Sequence, residues 1–259
     1  MTEIVSIHSY RGGTGKSNMT ANLATTMAML GKRVGIVDTD IQSPGIHILF
    51  RLDETKIQKT LNDYLWDDCE AEQIAYDVSY VLTDPNTQVN SPNGKIFLIP
   101  SSMKSEDIAT ILSEGYDVEL LQRGFYEVSE AFDLDYLFVD THPGLNEETL
   151  LAIGLSSTLV ILLRPDQQDY LGTAVIVEVA RELEVPKMLL VVNKALPDFD
   201  FGILKDKVHE TYQLPVAGIL PLSTEMLRLG SQGLFCLHHP DHSLTKEIQR
   251  IVSHIQGSI

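Results

Sequence analysis

The feature that most constrains this chain is a glycine-rich turn between an apolar run and a helical pattern. Residues 10–17 read Tyr-Arg-Gly-Gly-Thr-Gly-Lys-Ser and follow a short β-branched run at residues 4–7. Such a run is typical of a buried strand. Apolar residues then recur at helical spacing until Gly31, at Met19, Leu23, Met27 and Leu30. Glycine commonly ends a helix. The sequence therefore predicts a strand, a tight turn and a helix in immediate succession.

A turn of this kind suits a triphosphate. Glycines let the backbone approach an anion and adopt torsions that a Cβ forbids, and the amides at a helix N-terminus point at phosphate oxygens. Lys16 is placed to reach the β- and γ-phosphates, and the Ser17 hydroxyl to ligate Mg²⁺. A turn that binds nothing is the alternative, but the strand–turn–helix context favours a nucleotide site. The candidate nucleotide-binding residues here are Gly12, Gly13, Thr14, Gly15, Lys16, Ser17 and Asn18.

Apolar runs and helical patterns alternate along the rest of the chain. This alternation predicts an α/β fold: one doubly wound domain over residues 1–259, with a mostly parallel central sheet and helices on both faces. The predicted later strands are 33–37, 96–99, 136–139, 158–163, 188–192 and 216–220. The predicted later helices are 61–66, 106–112, 118–132, 173–183, 201–212 and 244–255. Residues 67–94 are acidic and turn-rich, with turn signals at 84–86 and 91–94, and we expect them to run over the surface.

Composition limits the partners. The net charge is −17, of which −14 falls in residues 1–150. An acidic surface repels DNA and anionic lipid unless basic residues cluster. Solvated helix faces are the simpler interpretation of the later cations Arg164, Arg181, Lys187, Arg228, Lys246 and Arg250. Cys69 and Cys236 form no CxxC pair and suggest reduced thiols. No apolar stretch is long enough to span a bilayer, and no signal-peptide pattern is present, so we expect a cytoplasmic protein.

Ligands of a parallel sheet bind beyond the carboxyl ends of its strands, so the residues that follow each strand are candidates for function. The second strand ends at Asp38-Thr39-Asp40, where a carboxylate can hold a Mg²⁺-bound water or orient an attacking one. Carboxylates that only cap a loop are the alternative. The strand at 136–139 ends at Asp140, where a carboxylate is placed to reach Mg²⁺ through a water.

With these motifs the chain resembles the ParA/MinD family, ATPases of the SIMIBI class of P-loop NTPases. The turn fits the deviant Walker A box, Lys-Gly-Gly-x-Gly-Lys-[Ser/Thr], except that Arg11 replaces the signature lysine. The first switch of the family has the form Asp-x-Asp, and Asp-Thr-His-Pro-Gly at 140–144 matches its second switch except at His142.

The resemblance implies roles for the residues at the strand ends. Asp40 would orient the hydrolytic water, Asp38 would support the magnesium shell, and the Gly144 amide would contact the γ-phosphate. Asn193 would contact the adenine base, and the loop beginning at Pro221 would close over it.

The resemblance also implies an ATP- and Mg²⁺-binding ATPase that forms a homodimer with ATP sandwiched between the subunits. Its hydrolysis would be slow and stimulated by an adaptor protein, and it would position a plasmid, a chromosome or a protein organelle, with non-specific nucleoid DNA as the surface. We expect Arg11 to replace the signature lysine as the cation that reaches the partner's phosphates, because arginine also binds phosphate. Carboxysome-positioning relatives lack that lysine too. The predicted helix at 244–255 has few cations and no aromatic anchor, which argues against direct membrane binding.

Other functions remain open. A nucleotide-dependent binding switch with little turnover would follow if Arg11 and His142 mark lost catalysis. A division-site or membrane-associated regulator like MinD is another candidate. A metal-delivery relative would need clustered cysteines, which this chain lacks. For other motifs we expect structural roles: Asp169 as the N-cap of the helix that follows it, His142 as a packing substitution, and loop surface for His238, His239 and His242.

Overall fold

The computed structural model describes residues 1–87, 89, 91 and 93–258, and within them it contains an eight-stranded sheet. The strands are β1 (Glu3–His8), β2 (Arg33–Asp38), β3 (Tyr76–Asp77), β4 (Lys95–Ile99), β5 (Tyr136–Asp140), β6 (Thr158–Leu163), β7 (Met188–Ala195) and β8 (Val216–Pro221).

Eleven α-helices connect or flank these strands in the described residues. They are α1 (Lys16–Met29), α2 (Ile46–Leu49), α3 (Leu61–Leu65), α4 (Ser105–Glu114), α5 (Val118–Ala131), α6 (Glu147–Gly154), α7 (Gln167–Glu182), α8 (Phe201–Tyr212), α9 (Thr224–Leu229), α10 (Phe235–His238) and α11 (Ser243–Ile255). None of them is long and apolar enough to cross a bilayer.

The strand order confirms the predicted doubly wound sheet. It runs β3-β4-β2-β5-β1-β6-β7-β8, and only the edge strand β3 is antiparallel to its neighbour. The chain moves from β1 to one side of the sheet through β2 and β5, and to the other through β6, β7 and β8. The order therefore reverses around β1, and such a switch point is where ligands of open α/β sheets bind.

Alternate residues of each strand face the two helical layers. In β5, Phe138 packs with α1, α10 and α11, whereas Leu137 and Val139 pack with α3 and α5 on the opposite face. This alternation explains why each predicted strand is apolar throughout, because both faces of the sheet are covered.

The terminal helix α11 is part of the core. Its apolar residues are at most 3% exposed: Leu244, Ile248, Ile251, Val252 and Ile255. Full burial of such a side chain is worth roughly 1.5–3 kcal/mol relative to exposure. Detaching α11 would therefore cost several times that amount, and its apolar face is not free to lie on a membrane.

The prediction for residues 67–94 was only partly correct. Ile74, Val78 and Leu82 are buried, and β3 extends the sheet. Isolated apolar residues between turns pack inward here without a periodicity that sequence reveals. Pro92 of the predicted turn at 91–94 lies outside the described residues.

Two predictions about the second half of the chain were wrong, one about a helix cap and one about three histidines. Helix α7 begins at Gln167 rather than near 173, and its N-cap is Asp166, whose side chain accepts the amides of Gln168 and Asp169. Asp169 instead receives two hydrogen bonds from the Arg164 side chain, at 2.9 and 3.0 Å. The histidines near 240 are also not simply loop surface. His238 ends α10, His242 caps α11, and the Phe235 ring packs against the rings of His239 and His242.

Candidate nucleotide-binding site

The glycine-rich turn lies at the switch point, between the end of β1 and the start of α1. Gly13 (φ +77°) and Gly15 (φ +97°) both adopt left-handed conformations that a side chain would strain. Gly15 is the N-cap of α1, and no side chain of the described residues caps this helix end. The first amides of α1 therefore have no side-chain cap, and the binding of an anion by them stays a prediction.

Lys16 is the central cation of the site. Its side chain is 7% exposed, and Nζ donates to the Ser9 hydroxyl at 3.2 Å. Thr14 donates to the same hydroxyl at 2.8 Å. Burial lowers the pKa of Lys16, while the carboxylates of Asp140 and Asp40 oppose that shift. An anionic ligand would reinforce the charged form, which is the form that binds phosphate.

Asp140 ends β5 beside the start of α1. One of its carboxylate oxygens accepts from Thr20 at 3.2 Å, and a hydrogen bond from Ser17 lowers its pKa. Burial dominates, however, and raises the pKa of Asp140 to about 6. The other oxygen, Oδ2, is buried and has no hydrogen-bond partner among the described residues.

This arrangement fits Mg²⁺. A serine hydroxyl could bind the ion directly and the unpartnered carboxylate oxygen through a water, and Mg²⁺ commonly combines one or two carboxylates with substrate phosphates and water. Within the described part of the chain, no three His, Cys, Asp or Glu side chains form a metal-binding group on their own. The phosphates would have to complete the coordination.

Asp38 holds the loop that follows β2. Its carboxylate accepts the amides of Asp40 and Gly45, both at 3.1 Å, and that of Ile46 at 3.4 Å. Burial, followed by the negative charge of Asp140, raises the pKa of Asp38 well above its usual range. Because both oxygens bind the loop, Asp38 fixes where Asp40 lies, and its contribution to a magnesium shell stays a prediction.

Asp40 lies in the same loop and faces His142. Oδ1 of Asp40 is 3.9 Å from Nε2 of His142 and accepts the Ser43 amide at 3.2 Å. Burial raises the pKa of Asp40, and His142 and Lys16 oppose the shift. His142 therefore lies beside the predicted catalytic carboxylate and does more than fill space, because its imidazole acts on the charge of Asp40.

Arg11 points away from its own phosphate turn toward α7. Its guanidinium donates to the Gln168 side chain and lies 3.9 Å from the Asp169 carboxylate. The neighbouring Tyr10 ring packs on Gly172, where an added Cβ would come within 2.2 Å of the ring. The start of the turn is therefore anchored to α7, and the Arg11 side chain is 43% exposed.

Two cavities meet at Gly15 and Asn18. The first, about 330 Å³, is lined by the glycine-rich turn and the loops after β2 and β5, including Lys16, Asp40 and His142. The second, about 210 Å³, is lined mainly by apolar residues of α1, α9, α11 and the end of β8: Met19, Leu220, Pro221, Leu222, Met226, Leu227, Leu244 and Ile248. We name them the phosphate cavity and the base cavity.

Two predicted contacts have other partners in this structure. The Asn193 side chain lines the base cavity but donates to the Thr14 carbonyl at 2.7 Å. The Gly144 amide donates to the Ser9 carbonyl at 3.2 Å. Their roles toward the base and the γ-phosphate stay predictions, as does that of Pro221, which does line the base cavity.

Sequence reasoning missed several residues of the site. His8 is buried, shares a 2.7 Å hydrogen bond with Thr141, and has its pKa lowered to about 3 by burial, then by Lys16 and His142. Ser9 contacts Lys16, and Thr20 contacts Asp140. A polar residue ending or following the apolar run of β1 was the available signal for His8 and Ser9.

Four of the six later basic residues have partners on their own surface. Arg164 pairs with Asp169, and Arg250 with Glu247. Arg181 donates to the Tyr212 carbonyl, and Lys187 to those of His254 and Ile255. Because these cations have partners within the chain, the structure gives no support to a DNA-binding patch formed by the later basic residues.

Comparison with known sequences identifies the family. A family model described as ParA, a NUBPL iron-transfer P-loop NTPase, matches residues 1–256. An uncharacterized ATP-binding protein of Methanocaldococcus jannaschii is 24% identical over 261 residues, covering 100% of this chain and 89% of that protein. An iron-sulfur cluster carrier protein of Clostridium perfringens is 27% identical, covering 94% and 85%. The septum site-determining protein MinD of Synechocystis is 24% identical, covering 85% and 76%.

Solved structures share the fold. The cell division ATPase MinD of Pyrococcus furiosus superposes with a TM-score of 0.80 at 19% identity, covering all of both chains. MinD of Pyrococcus horikoshii, solved with Mg-ADP, gives 0.78 at 18% identity and covers 98% of this chain and 96% of that one. A plasmid partition protein of Borrelia burgdorferi bound to AMPPNP gives 0.75 at 17% identity, with both chains fully covered. At these identities the likeness establishes the fold.

Proposed function

This chain belongs to the ParA/MinD family of P-loop NTPases, and from that premise we propose that it is a slow ATPase whose two copies associate around ATP. The observation that carries the proposal is that Lys16, Ser17 and Asp40 line one phosphate cavity. The Asp140 carboxylate accepts a hydrogen bond from Ser17 and interacts with the charge of Lys16. A separate, mostly apolar cavity adjoins it and suits a purine base.

Each residue has a task in phosphoryl transfer, which depends on positioning and charge neutralisation. Lys16 binds the β- and γ-phosphates, together with the amides at the start of α1. Asp40 orients the attacking water, and Asp38 holds the loop that carries Asp40. Ser17 and Asp140 would hold Mg²⁺, which when bound neutralises phosphate charge.

Arg11 is proposed as the cation that acts across the dimer. Its contacts with Gln168 and Asp169 place it at the surface, next to the phosphate cavity but outside it. A guanidinium there is free to exchange its partners on α7 for phosphate oxygens of a second copy. The resulting subunit contact would depend on the γ-phosphate and would be lost after hydrolysis.

We further propose that the dimer positions or segregates a cargo through an adaptor protein. A plasmid partition protein shares the fold, which makes nucleoid DNA a candidate surface. The acidic charge and the internally paired cations above give DNA binding little physical support, so the adaptor would have to supply part of the affinity. Direct membrane binding through α11 is disfavoured because its apolar face is buried.

Iron-sulfur cluster transfer is the second candidate. The family description names iron transfer, and the Clostridium perfringens relative is an iron-sulfur cluster carrier protein. The donor set does not fit it. Cys69 packs on the face of the sheet with α3 and α5, whereas Cys236 is buried on the face with α1. Burial also raises the pKa of Cys236 to about 12, which disfavours the thiolate that a cluster needs.

The test measures ATP turnover and subunit mass together. Purified protein with Mg²⁺ and ATP should release phosphate slowly and should double its mass in light scattering, and ADP should not produce the larger species. Single-turnover hydrolysis separates this proposal from a binding switch, which would bind ATP and dimerise without releasing phosphate. Absence of ATP binding would contradict both.

A further inference from the structure

Two consecutive residues at the end of β7 bind two consecutive carbonyls of the phosphate turn. Nζ of Lys194 donates to the Gly13 carbonyl at 2.7 Å, and Nδ2 of Asn193 donates to the Thr14 carbonyl at 2.7 Å. These contacts join segments about 180 residues apart in the chain.

These hydrogen bonds fix the direction of two amides. In a trans peptide the carbonyl and the following N–H point in opposite directions, and the described residues contain no cis bond. A Gly13 carbonyl turned toward β7 therefore turns the Thr14 N–H away from β7. By the same geometry, the Asn193 contact with Thr14 turns the Gly15 N–H away from β7.

The phosphate cavity lies in that direction. In the sheet, β7 is on one side of β1, with β6 between them, and β5 is on the other side. The cavity is lined by Gly13 and Gly15 and by His142 and Pro143, which follow β5. Amides that point away from β7 therefore point toward the cavity in which a phosphate would be bound.

The backbone of Lys194 supports a specific role. Lys194 adopts a left-handed conformation with φ +56°, which costs energy for a residue other than glycine. The Lys194 side chain, although solvent-exposed, reaches the turn, where the Gly13 carbonyl is the acceptor of its Nζ among the described residues. The Asn193 side chain also lies close to the turn, because a Cβ added to Gly15 would come within 2.8 Å of its Nδ2.

We propose that Lys194 and Asn193 are positioning residues that pre-orient the Thr14 and Gly15 amides for phosphate. The inference rests on the proposed function and adds a role to it. Asn193, predicted as a base contact, then serves the phosphates through the backbone, and Lys194 joins it. Orientation before binding improves affinity because the amides need not be ordered when the ligand arrives.

The experiment separates the phosphates from the base. Competition against a fluorescent ATP analogue gives dissociation constants for ATP and for inorganic tripolyphosphate, which has no base. Lys194→Met keeps the apolar stem and removes the donor, Lys194→Arg restores a cationic donor, and Lys246→Met is a matched control on the exposed side of α11. Melting temperatures without ligand check that each variant folds.

We expect Lys194→Met to weaken the binding of ATP and of tripolyphosphate by the same factor, about 10-fold or more. Loss of a hydrogen bond to a charged group has an effect of this size. Lys194→Arg should recover most of the loss, and Lys246→Met should match wild type. Asn193→Ala should likewise weaken the binding of ATP and of tripolyphosphate by the same factor.

Two results would overturn the inference while leaving the proposed function intact. Weaker ATP binding with unchanged tripolyphosphate binding would make Lys194 a base contact. Unchanged binding of both ligands would make its contact with Gly13 incidental. If wild-type protein binds neither ligand, the proposed function itself fails, and this inference fails with it.

Discussion

Nε2 of His142, the residue at which this chain departs from the second-switch motif of the family, lies 3.9 Å from the Asp40 carboxylate. A single ring therefore connects the two switch loops, one after β2 and one after β5. The imidazole opposes the rise that burial causes in the pKa of Asp40, so the residue that departs from the motif favours the charged form of the predicted catalytic carboxylate.

His142→Gln should shift the acid limb of the hydrolysis rate to higher pH. Without the imidazole, the pKa of Asp40 rises further, and the carboxylate needed to orient water is lost at a higher pH than in wild type. The measurement is kcat for ATP hydrolysis between pH 5 and 8. An unchanged acid limb would show that His142 does not act on Asp40.

Asp40→Ala should leave ATP affinity nearly unchanged and slow hydrolysis by about 100-fold or more, because orienting the water is worth that much in comparable reactions. The ATP-bound dimer should consequently accumulate. Phosphate release and light scattering in the same sample measure both effects. Turnover at the wild-type rate would remove Asp40 from the mechanism.

Arg11→Ala should prevent the ATP-dependent doubling of mass while leaving ATP binding by the monomer in place, because Arg11 contacts α7 and not its own phosphate cavity. Arg11→Lys restores the signature residue of the family and should dimerise. Light scattering with and without ATP gives the result. A dimer of normal stability in Arg11→Ala would show that Arg11 is not the cation that acts across the interface.

Asp140→Asn should stabilise the nucleotide-free protein more at pH 8 than at pH 4. The pKa of Asp140 is raised from an ordinary 3.8 to about 6 in the folded state, so the folded protein binds the proton more tightly than the unfolded chain. Its contribution to the free energy of unfolding therefore falls as pH rises from about 4 to about 6.

The variant lacks this loss, so its free energy of unfolding should rise relative to that of wild type across that interval. His8, whose pKa is lowered, has the opposite pH dependence, but it is present in both proteins and cancels in the difference. Urea unfolding at several pH values measures the effect. If the difference in the free energy of unfolding between variant and wild type did not vary with pH, the raised pKa of the buried Asp140 would be contradicted.

Local patterns were sufficient to predict most of the fold. The strands of the parallel sheet are apolar runs because both of their faces are covered, and Gly31 ends the pattern of α1 with φ +86°. Helix α6 was missed, although Asn146 and Thr149 form a capping box at its start. The start of α7 was misplaced because Asp166 and Asp169 are both plausible caps in the sequence, and only the structure shows that the Asp166 side chain accepts the first amides of the helix.

The site was predictable only where its residues are close in sequence. Gly12 to Ser17 form one continuous motif, and Asp40 and Asp140 follow apolar strands directly. The contacts of Lys194 with Gly13, of His142 with Asp40, and of Arg11 with Gln168 connect distant segments. No local spacing encodes such contacts, since the sheet order decides which strand ends become neighbours.

The most direct test of the central claim, that the turn between β1 and α1 binds a triphosphate, is calorimetric titration of Mg²⁺ and ATP into wild-type protein and Lys16→Ala. The buried ammonium of Lys16 is the main protein cation at the phosphate cavity, so its removal should weaken ATP binding at least 100-fold, with Lys246→Ala as the control that binds normally. Equal affinity of wild type and Lys16→Ala for ATP would contradict the assignment of the site.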